Sequence, residues 1–406
     1  MKSSFLGRRR SLLWLALKTG FFTTLTLGFY RFWMKTRMRR WYWSAIRPGG
    51  SPLEYTGTPY EKLLGFLIAV VFLAFYLGLV NLVLMFASFA LLQTNVLAYL
   101  LSFIGVIPFY FYARYRARRF LLARTRWRGI RFGLEPGAWS YALRAFWHSL
   151  LTLLTLGLLL PRQTFKLEKF VTDRTYFGTM QMRQNGDWRM LTPALVPFAL
   201  GVIMSVMTLL VAQFDPSTSR GGRLMAPPLG PLLVFVPLSI YGLVHYRVVT
   251  RRILANHKSL GPMSLESNAQ PLRVAGYVFG GGFISLAILM VPLLLISLVV
   301  GLVTAPELFI RAFGDILSPE AIATIERLAD IPRGVLLVVA VVAYLSLQLI
   351  YSALHEILVS LPIRRHYMST LSIKGLGEAH TIAQRPKDEF AEAEGFAEAL
   401  DVGAAL

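Results

Sequence analysis

The sequence predicts an all-α polytopic membrane protein with short cytoplasmic β-hairpins, made of six full transmembrane helices plus two partial or re-entrant segments. Three observations carry this. The 406 residues are 55% hydrophobic and 16% charged, with mean hydropathy +0.55, whereas a soluble chain of this size carries roughly a quarter charged residues. Eight apolar runs are long enough for helices in a hydrocarbon core ~30 Å thick. A basic–aromatic junction followed by a glycine turn recurs five times. Eight full spans is the alternative arrangement.

Along the chain the apolar runs lie near 11–30, 63–92, 96–113, 142–160, 193–214, 227–246, 274–303 and 335–359. They are continuous rather than alternating, which selects helices over a membrane barrel. The glycines of "GGGF" at 280–283, with Pro237 and Pro292, are tolerable where neighbouring helices satisfy the freed backbone. The opening "MKSSFLGRRRSLLWLALKTGFF" starts basic and turns apolar, as a secretory signal does. Lys18 interrupts the run, no small-residue cleavage pattern follows, and positive charge resumes at Arg31. The segment therefore reads as a retained first membrane element.

The connections are of two kinds. "LLQTN" at 91–95, "FDPSTSRGGRL" at 214–224 and "APELFIRAFGDILSPEAIATIERLADIP" at 305–332 are poor in positive charge. The last reads as an acidic amphipathic helix begun by Ser318-Pro319-Glu320. Segments 31–62, 114–141, 162–192, 247–273 and 360–387 are basic, and the positive-inside rule places them in the cytoplasm and the first group in the periplasm. Three in–out–in hairpins follow: 63–92 with 96–113, 193–214 with 227–246, and 274–303 with 335–359. Runs 11–30 and 142–160 are basic on both sides, so they re-enter or lie in the inner leaflet. They share "TLTLG" at 24–28 and "TLLTLG" at 152–157, whose threonines and glycine suit a broken helix. The successive units are 1–62, 63–141, 142–192, 193–273 and 274–387, ending in an acidic tail at 388–406.

The repeat aligns on a basic pair: Arg39-Arg40, Arg118-Arg119, Glu168-Lys169, Arg251-Arg252 and Arg364-Arg365. Behind each comes a turn-bearing stretch: "RPGGSPLEY", "TRWRGIRFGL", "TYFGTMQM", "KSLGPMSLES" and "LSIKGLGEAHTI". Alternation such as Ile130 and Phe132 around Arg131 predicts a β-hairpin in each copy. An isolated hairpin is marginal in water, so the five are expected to pair into a shared sheet or small barrel. The third copy departs from the pattern with Glu168, and the fifth lacks an aromatic-rich exit before Arg364.

"LLTLG", the aromatic–arginine belt, "ARTRWRGIRF" and the ending "GFAEALDVGAAL" together resemble the YjgN-like family of bacterial inner-membrane proteins, over essentially the whole chain. The resemblance implies a multi-pass inner-membrane protein of a family without an assigned biochemical function. It also implies a neighbourhood of membrane metallopeptidases, a hint about partners.

The belt residues Arg31, Trp33, Arg37, Arg39, Arg40, Trp41, Arg114, Arg118, Arg119, Arg251, Arg252, Arg364 and Arg365 read first as interface anchors, with rings at headgroup depth and cations on anionic lipid phosphates. A selective site for one anionic lipid or a phosphorylated metabolite is the sharper alternative. The net charge of +21 invites a nucleic-acid reading. It fails because the cations flank spans and the rings are explained by membrane depth. Lys18, Asn81, His148 and Gln348 are the polar residues at membrane depth, Asn81 and Gln348 being placed for interhelical hydrogen bonds. His355-Glu356 begins "HEILV", with Val359 where a zinc peptidase needs its second histidine. "GGGF" lacks the Lys-Ser/Thr of a phosphate loop and reads as close helix packing, and no nucleophile elbow is visible. The chain has no cysteine, hence no thiolate chemistry. No catalytic, metal or cofactor residues are assigned. The acidic tail is either a solvated extension or a segment that docks on the basic face or a partner.

Two functions remain. One is a non-enzymatic scaffold or partner subunit of a membrane complex, binding anionic lipid and a protein partner, with a membrane metallopeptidase as candidate. The other is a transporter or lipid-handling protein whose re-entrant segments line a cavity. The lack of acids in the middle of the apolar runs favours the first.

Overall fold

The computed structural model describes residues 1–92, 96–214, 230–304, 306–313, 332–375 and 382–385, together with Ser318, Glu320 and Gly377. Most of the connections expected in the periplasm, and the acidic tail, lie outside the described residues. The chain divides into two compact units. One comprises Met1–Gly7, Lys35–Ala275 and the residues from Arg365 on, and the other Arg8–Met34 and Gly276–Arg364.

The helices are α1 (Arg9–Leu25), α2 (Arg31–Ala45), α3 (Pro59–Phe75), α4 (Asn81–Leu92), α5 (Val96–Ala123), α6 (Ala138–Leu154), α7 (Leu160–Thr172), α8 (Thr192–Phe214), α9 (Leu232–Asn256), α10 (Pro271–Thr304), α11 (Pro306–Phe313), α12 (Arg333–His355) and α13 (Leu361–Ser369). Two π turns, Tyr76–Val80 and Glu356–Ser360, join α3 to α4 and α12 to α13 without a break. His355-Glu356 therefore lies within a continuous helix. Among the described residues, four helices are long and apolar enough to cross a membrane: Trp188–Val211, Leu232–Asn256, Pro271–Gly301 and Val338–Ser369. They answer to the last four apolar runs.

The two Thr-Leu-Gly segments are helices that stop outright. α1 and α6 each have 17 residues, about 25 Å at 1.5 Å per residue, short of the ~30 Å core. Each ends in the same reversal. Gly28 N–H donates to Thr23 O and Leu27 N–H to Thr24 O, while Gly157 N–H donates to Thr152 O and Leu156 N–H to Leu153 O. This is the Schellman pattern, with leucine in the left-handed position at φ 49° and 50°. The hydroxyls of Thr26 and Thr155 accept from the N–H of Tyr30 and Leu159, capping the next helix. In the second copy α7 returns along α6, and Gln163 donates to Ser149 Oγ at 2.7 Å.

The predicted hairpins do pair into one sheet. The strands are β1 (Ser4–Phe5), β2 (Ile46–Arg47), β3 (Leu53–Tyr55), β4 (Thr125–Trp127), β5 (Ile130–Leu134), β6 (Thr175–Phe177), β7 (Met180–Gln184), β8 (Lys258–Leu260), β9 (Met263–Ser267) and β10 (Leu371–Lys374). β3 to β10 form an eight-stranded antiparallel meander in chain order. Copies two, three and four each supply a full hairpin. Arg128-Gly129 turns β4 into β5 with φ 51° and 79°, the two positive values of a type I′ turn that matches strand twist. Copies one and five depart from expectation, giving one meander strand each, at the two edges. The first short strand of copy one, β2, pairs with β1 instead.

The N-terminal residues cover the β10 edge and pair with β2. Lys2 pairs with Ser372, Ile373 N–H donates to Met1 O, and Ser4–Phe5 pair with Ile46–Arg47. The sheet curls, and backbone groups of its β10 edge are covered by the N-terminal residues. Its interior is filled by Trp127, Phe177, Met263, Ile373 and Ile382, with flanking residues such as Phe132 and Leu265. Phe177 lies 5.4 Å from Trp127 and 4.7 Å from Phe132 between ring centroids. An interior packed with side chains is a core and not a pore.

Close helix packing follows the glycines. A Cβ on Gly242 would stand 2.5 Å from the backbone of Phe198, and one on Gly281 would stand 2.5 Å from the Leu358 carbonyl oxygen, while Gly280 and Gly282 have open space. Only the middle glycine of "GGGF" is needed at that approach.

Candidate functional site

The second member of the basic pair does the same job in four copies. Arg40 donates to Gly57 O at 3.0 Å, Arg119 to Leu134 O at 3.1 Å, Lys169 to Gln184 O at 2.7 Å, and Arg252 to Ala269 O at 3.5 Å. Each acceptor lies 15 or 17 residues on, where the copy's β segment ends. A helix-borne cation thereby latches the far end of its own copy's β segment by donating to a backbone carbonyl there.

Glu168 explains the third copy's departure. Its carboxylate accepts both Arg118 Nη atoms at 3.2 Å and Lys258 Nζ at 2.5 Å. Arg118 comes from copy two and Lys258 from copy four, so one acid neutralises the cations that the meander brings beside it. Burial works against its ionisation, but Arg118 and Lys258 outweigh that and hold its carboxyl well below the usual carboxylate range. Asp173 completes the cluster by pairing with Lys169 at 3.1 Å and accepting the N–H of Gln184 at 2.7 Å.

The other belt residues scatter by role. Trp41 packs edge-on against Phe5 and Tyr42. Trp33 stacks on Tyr30 at 5.9 Å. Arg39 lies over Tyr55 at 5.9 Å and Arg251 over Tyr367 at 5.7 Å. Arg37, Arg114 and Arg365 are exposed, and Arg31 and Arg364 half-buried. Of the depth-placed polar residues, Lys18 and Gln348 are exposed on their helices and His148 is half-buried. Asn81 follows the π turn, and among the described residues its Oδ1 is buried without a hydrogen bond. Lys18 and Gln348 belong to one compact unit, and Asn81 and His148 to the other.

The structure brings together four arginines that the repeat pattern does not group. A cavity of about 370 Å³ lies between the basic end of α5, strand β5 and the segment Gln384-Arg385. Arg119, Arg124, Arg131 and Arg385 line it, against a single acid among the described residues, Glu135. Arg124 is held through Nε by Glu61 Oε2 at 3.0 Å and lies 5.1 Å over Phe120. Arg385 lies 4.4 Å over the Tyr176 ring. Tyr176 donates its hydroxyl to Glu135 Oε1 at 2.6 Å, and that bond, with burial, pushes its phenol up. Gln384 Oε1 accepts the N–H of Arg131 at 2.9 Å, docking this distant segment on the strand. Sequence reasoning found Arg119 by the pair and noted Arg131 in the strand alternation. Arg385, Glu135 and Tyr176 carry no signal, because only folding places residue 385 beside residue 131.

A sequence model of a bacterial family, described as "Bacterial protein of unknown function (DUF898)", matches residues 1–293. The match stops short of the acidic ending, so the kinship rests on the junctions of copies one to four and not on the tail. No curated protein and no solved structure matches the chain.

Proposed function

We propose that this chain, which belongs to the DUF898 (YjgN-like) family of bacterial proteins, is a non-enzymatic scaffold or partner subunit of a complex in the inner membrane. One observation carries the reading. Hairpins from successive copies join a single sheet with a packed interior, which suits a fixed platform better than a moving or hollow device. The basic ends and sheet face the cytoplasm, where the positive-inside rule retains them and anionic headgroups attract them. The membrane carries six full spans, with α1 and α6 entering the inner leaflet and turning back. Their length and the apolar reversals support this: Leu27 is 90% and Leu156 95% exposed within the protein, as hydrocarbon-facing tips should be. A protein partner docks on this platform, a membrane metallopeptidase being the candidate that the family resemblance names, and no cofactor takes part. Crosslinking in native membranes followed by purification should recover one partner in stoichiometric amount; recovery of the chain alone at every crosslinker length counts against the scaffold.

The twin leucine-tipped hairpins favour a second reading, a lipid-handling protein or transporter. Reconstituted vesicles separate the two. Accelerated movement of labelled lipid or solute by the purified chain supports the second reading, and its absence the first.

A further inference from the structure

We propose that the cavity lined by Arg119, Arg124, Arg131 and Arg385 is a binding site for a phosphate-bearing anion. Four arginines line a cavity of about 370 Å³ with one carboxylate, among the described residues, in the lining. The Tyr176 hydroxyl engages that carboxylate, and Glu61 outside the lining pairs with Arg124, so positive charge remains in excess. Like charges gathered around a concave wall repel one another and focus a positive field into the opening, which an anion relieves. Guanidinium is the group suited to it, since its planar fork meets phosphate oxygens in bidentate fashion.

The arginines are also positioned in advance. Arg119 is tied to Leu134 O, Arg124 to Glu61, and Arg385 lies on the Tyr176 face. Ordering these side chains before the ligand arrives removes part of the entropic cost of binding. The aromatic and apolar parts of the lining, Phe132 among them, leave room beside the phosphate for a small organic group. A lipid headgroup and a soluble phosphorylated compound share this chemistry.

The full-length protein in a neutral detergent is titrated calorimetrically with inorganic pyrophosphate. In parallel it is incorporated into nanodiscs of phosphatidylcholine with or without phosphatidylglycerol, and the lipid retained after extraction is counted by native mass spectrometry. Arg131→Gln and Arg385→Gln are compared with Arg189→Gln, an exposed arginine at a distance in sequence and outside the cavity lining. Pyrophosphate binding that weakens about tenfold or more in the two cavity variants, and not in the control, assigns a soluble ligand. Retention of phosphatidylglycerol lost in the same two variants, without pyrophosphate binding, assigns a headgroup. No binding in either arm, or equal loss in Arg189→Gln, overturns the site. Arg131→Lys keeps the charge without the fork. If Arg131→Gln unfolds, the Lys variant is tested in its place: intermediate binding supports the proposal, and undiminished binding overturns it.

Discussion

Glu168 is held by two cations from neighbouring copies, so its loss should be felt beyond its own helix. Glu168→Gln removes charge-assisted hydrogen bonds and leaves Arg118 and Lys258 facing each other; it should cost about 2–3 kcal/mol, read by thermal unfolding in detergent. The pH dependence has a definite sign. The folded carboxyl is depressed below its ordinary value near 4.5, so its contribution is complete above that value and declines as pH falls toward the folded one. The stability gap between wild type and Glu168→Gln should be constant above about pH 5.5 and shrink below about pH 4.5. A gap that widens in acid would contradict the assignment. Lys169→Met tests the latch: it frees the Gln184 carbonyl and should cost about 1–2 kcal/mol, with faster amide exchange along β7. The basic pair was legible in the sequence as a repeated mark, but its use was not. Headgroup anchoring and backbone latching ask for the same residue type, and only the acceptor's position distinguishes them.

At the scale of elements, the helix reversals and the glycine contacts carry the predictions. Because the chain has no cysteine, single-cysteine variants report without background. Spin labels at Leu27→Cys and Leu156→Cys should be accessible to oxygen and shielded from a polar nickel reagent, as expected at hydrocarbon depth. Labels at Arg128→Cys and Arg183→Cys should react with an impermeant reagent only from the cytoplasmic side. Reaction of either tip from outside would make α1 or α6 a full span. A leucine in the left-handed region costs roughly 1–2 kcal/mol, yet both copies place leucine there with glycine next. An apolar tip outweighs that strain if the tip meets lipid. Gly281→Val should destabilise by about 1–3 kcal/mol because its Cβ meets the Leu358 carbonyl, while Gly280→Val, with open space, should be tolerated. The threonines and glycine of the two shared segments announced a helix break, and the positive charge on both flanks announced re-entry; the sequence did not say how the reversal is built. That depends on the Schellman hydrogen bonds.

For the whole molecule, the covered sheet edge is the feature most exposed to test. Phe5 is buried and meets Trp41 edge-on, and its strand pairs with β2 next to the residues that cover the β10 edge. Phe5→Ala should cost about 3 kcal/mol or more. It should also speed amide exchange at Ile46 and Ile373 before the central strands β6 and β7, since edge pairing opens ahead of the core. Uniform acceleration across all strands would instead mean that the N-terminal cover does not open separately.

The sequence by itself determined the apolar runs, the breaks at the two Thr-Leu-Gly segments and the recurrence of β structure behind the basic junctions, and it anticipated that these stretches share a sheet. These follow from composition and local periodicity, which each stretch carries in its own residues. Only the tertiary structure decided the order in which the strands of the shared sheet pair, that the outer copies give one meander strand each, that Glu168 joins three copies, and that Arg131 meets the segment of Arg385. The physical reason is that strand partners, ion pairs and cavity walls are made between segments far apart in the chain. Their identity depends on the register in which those segments meet, and no single stretch encodes that register.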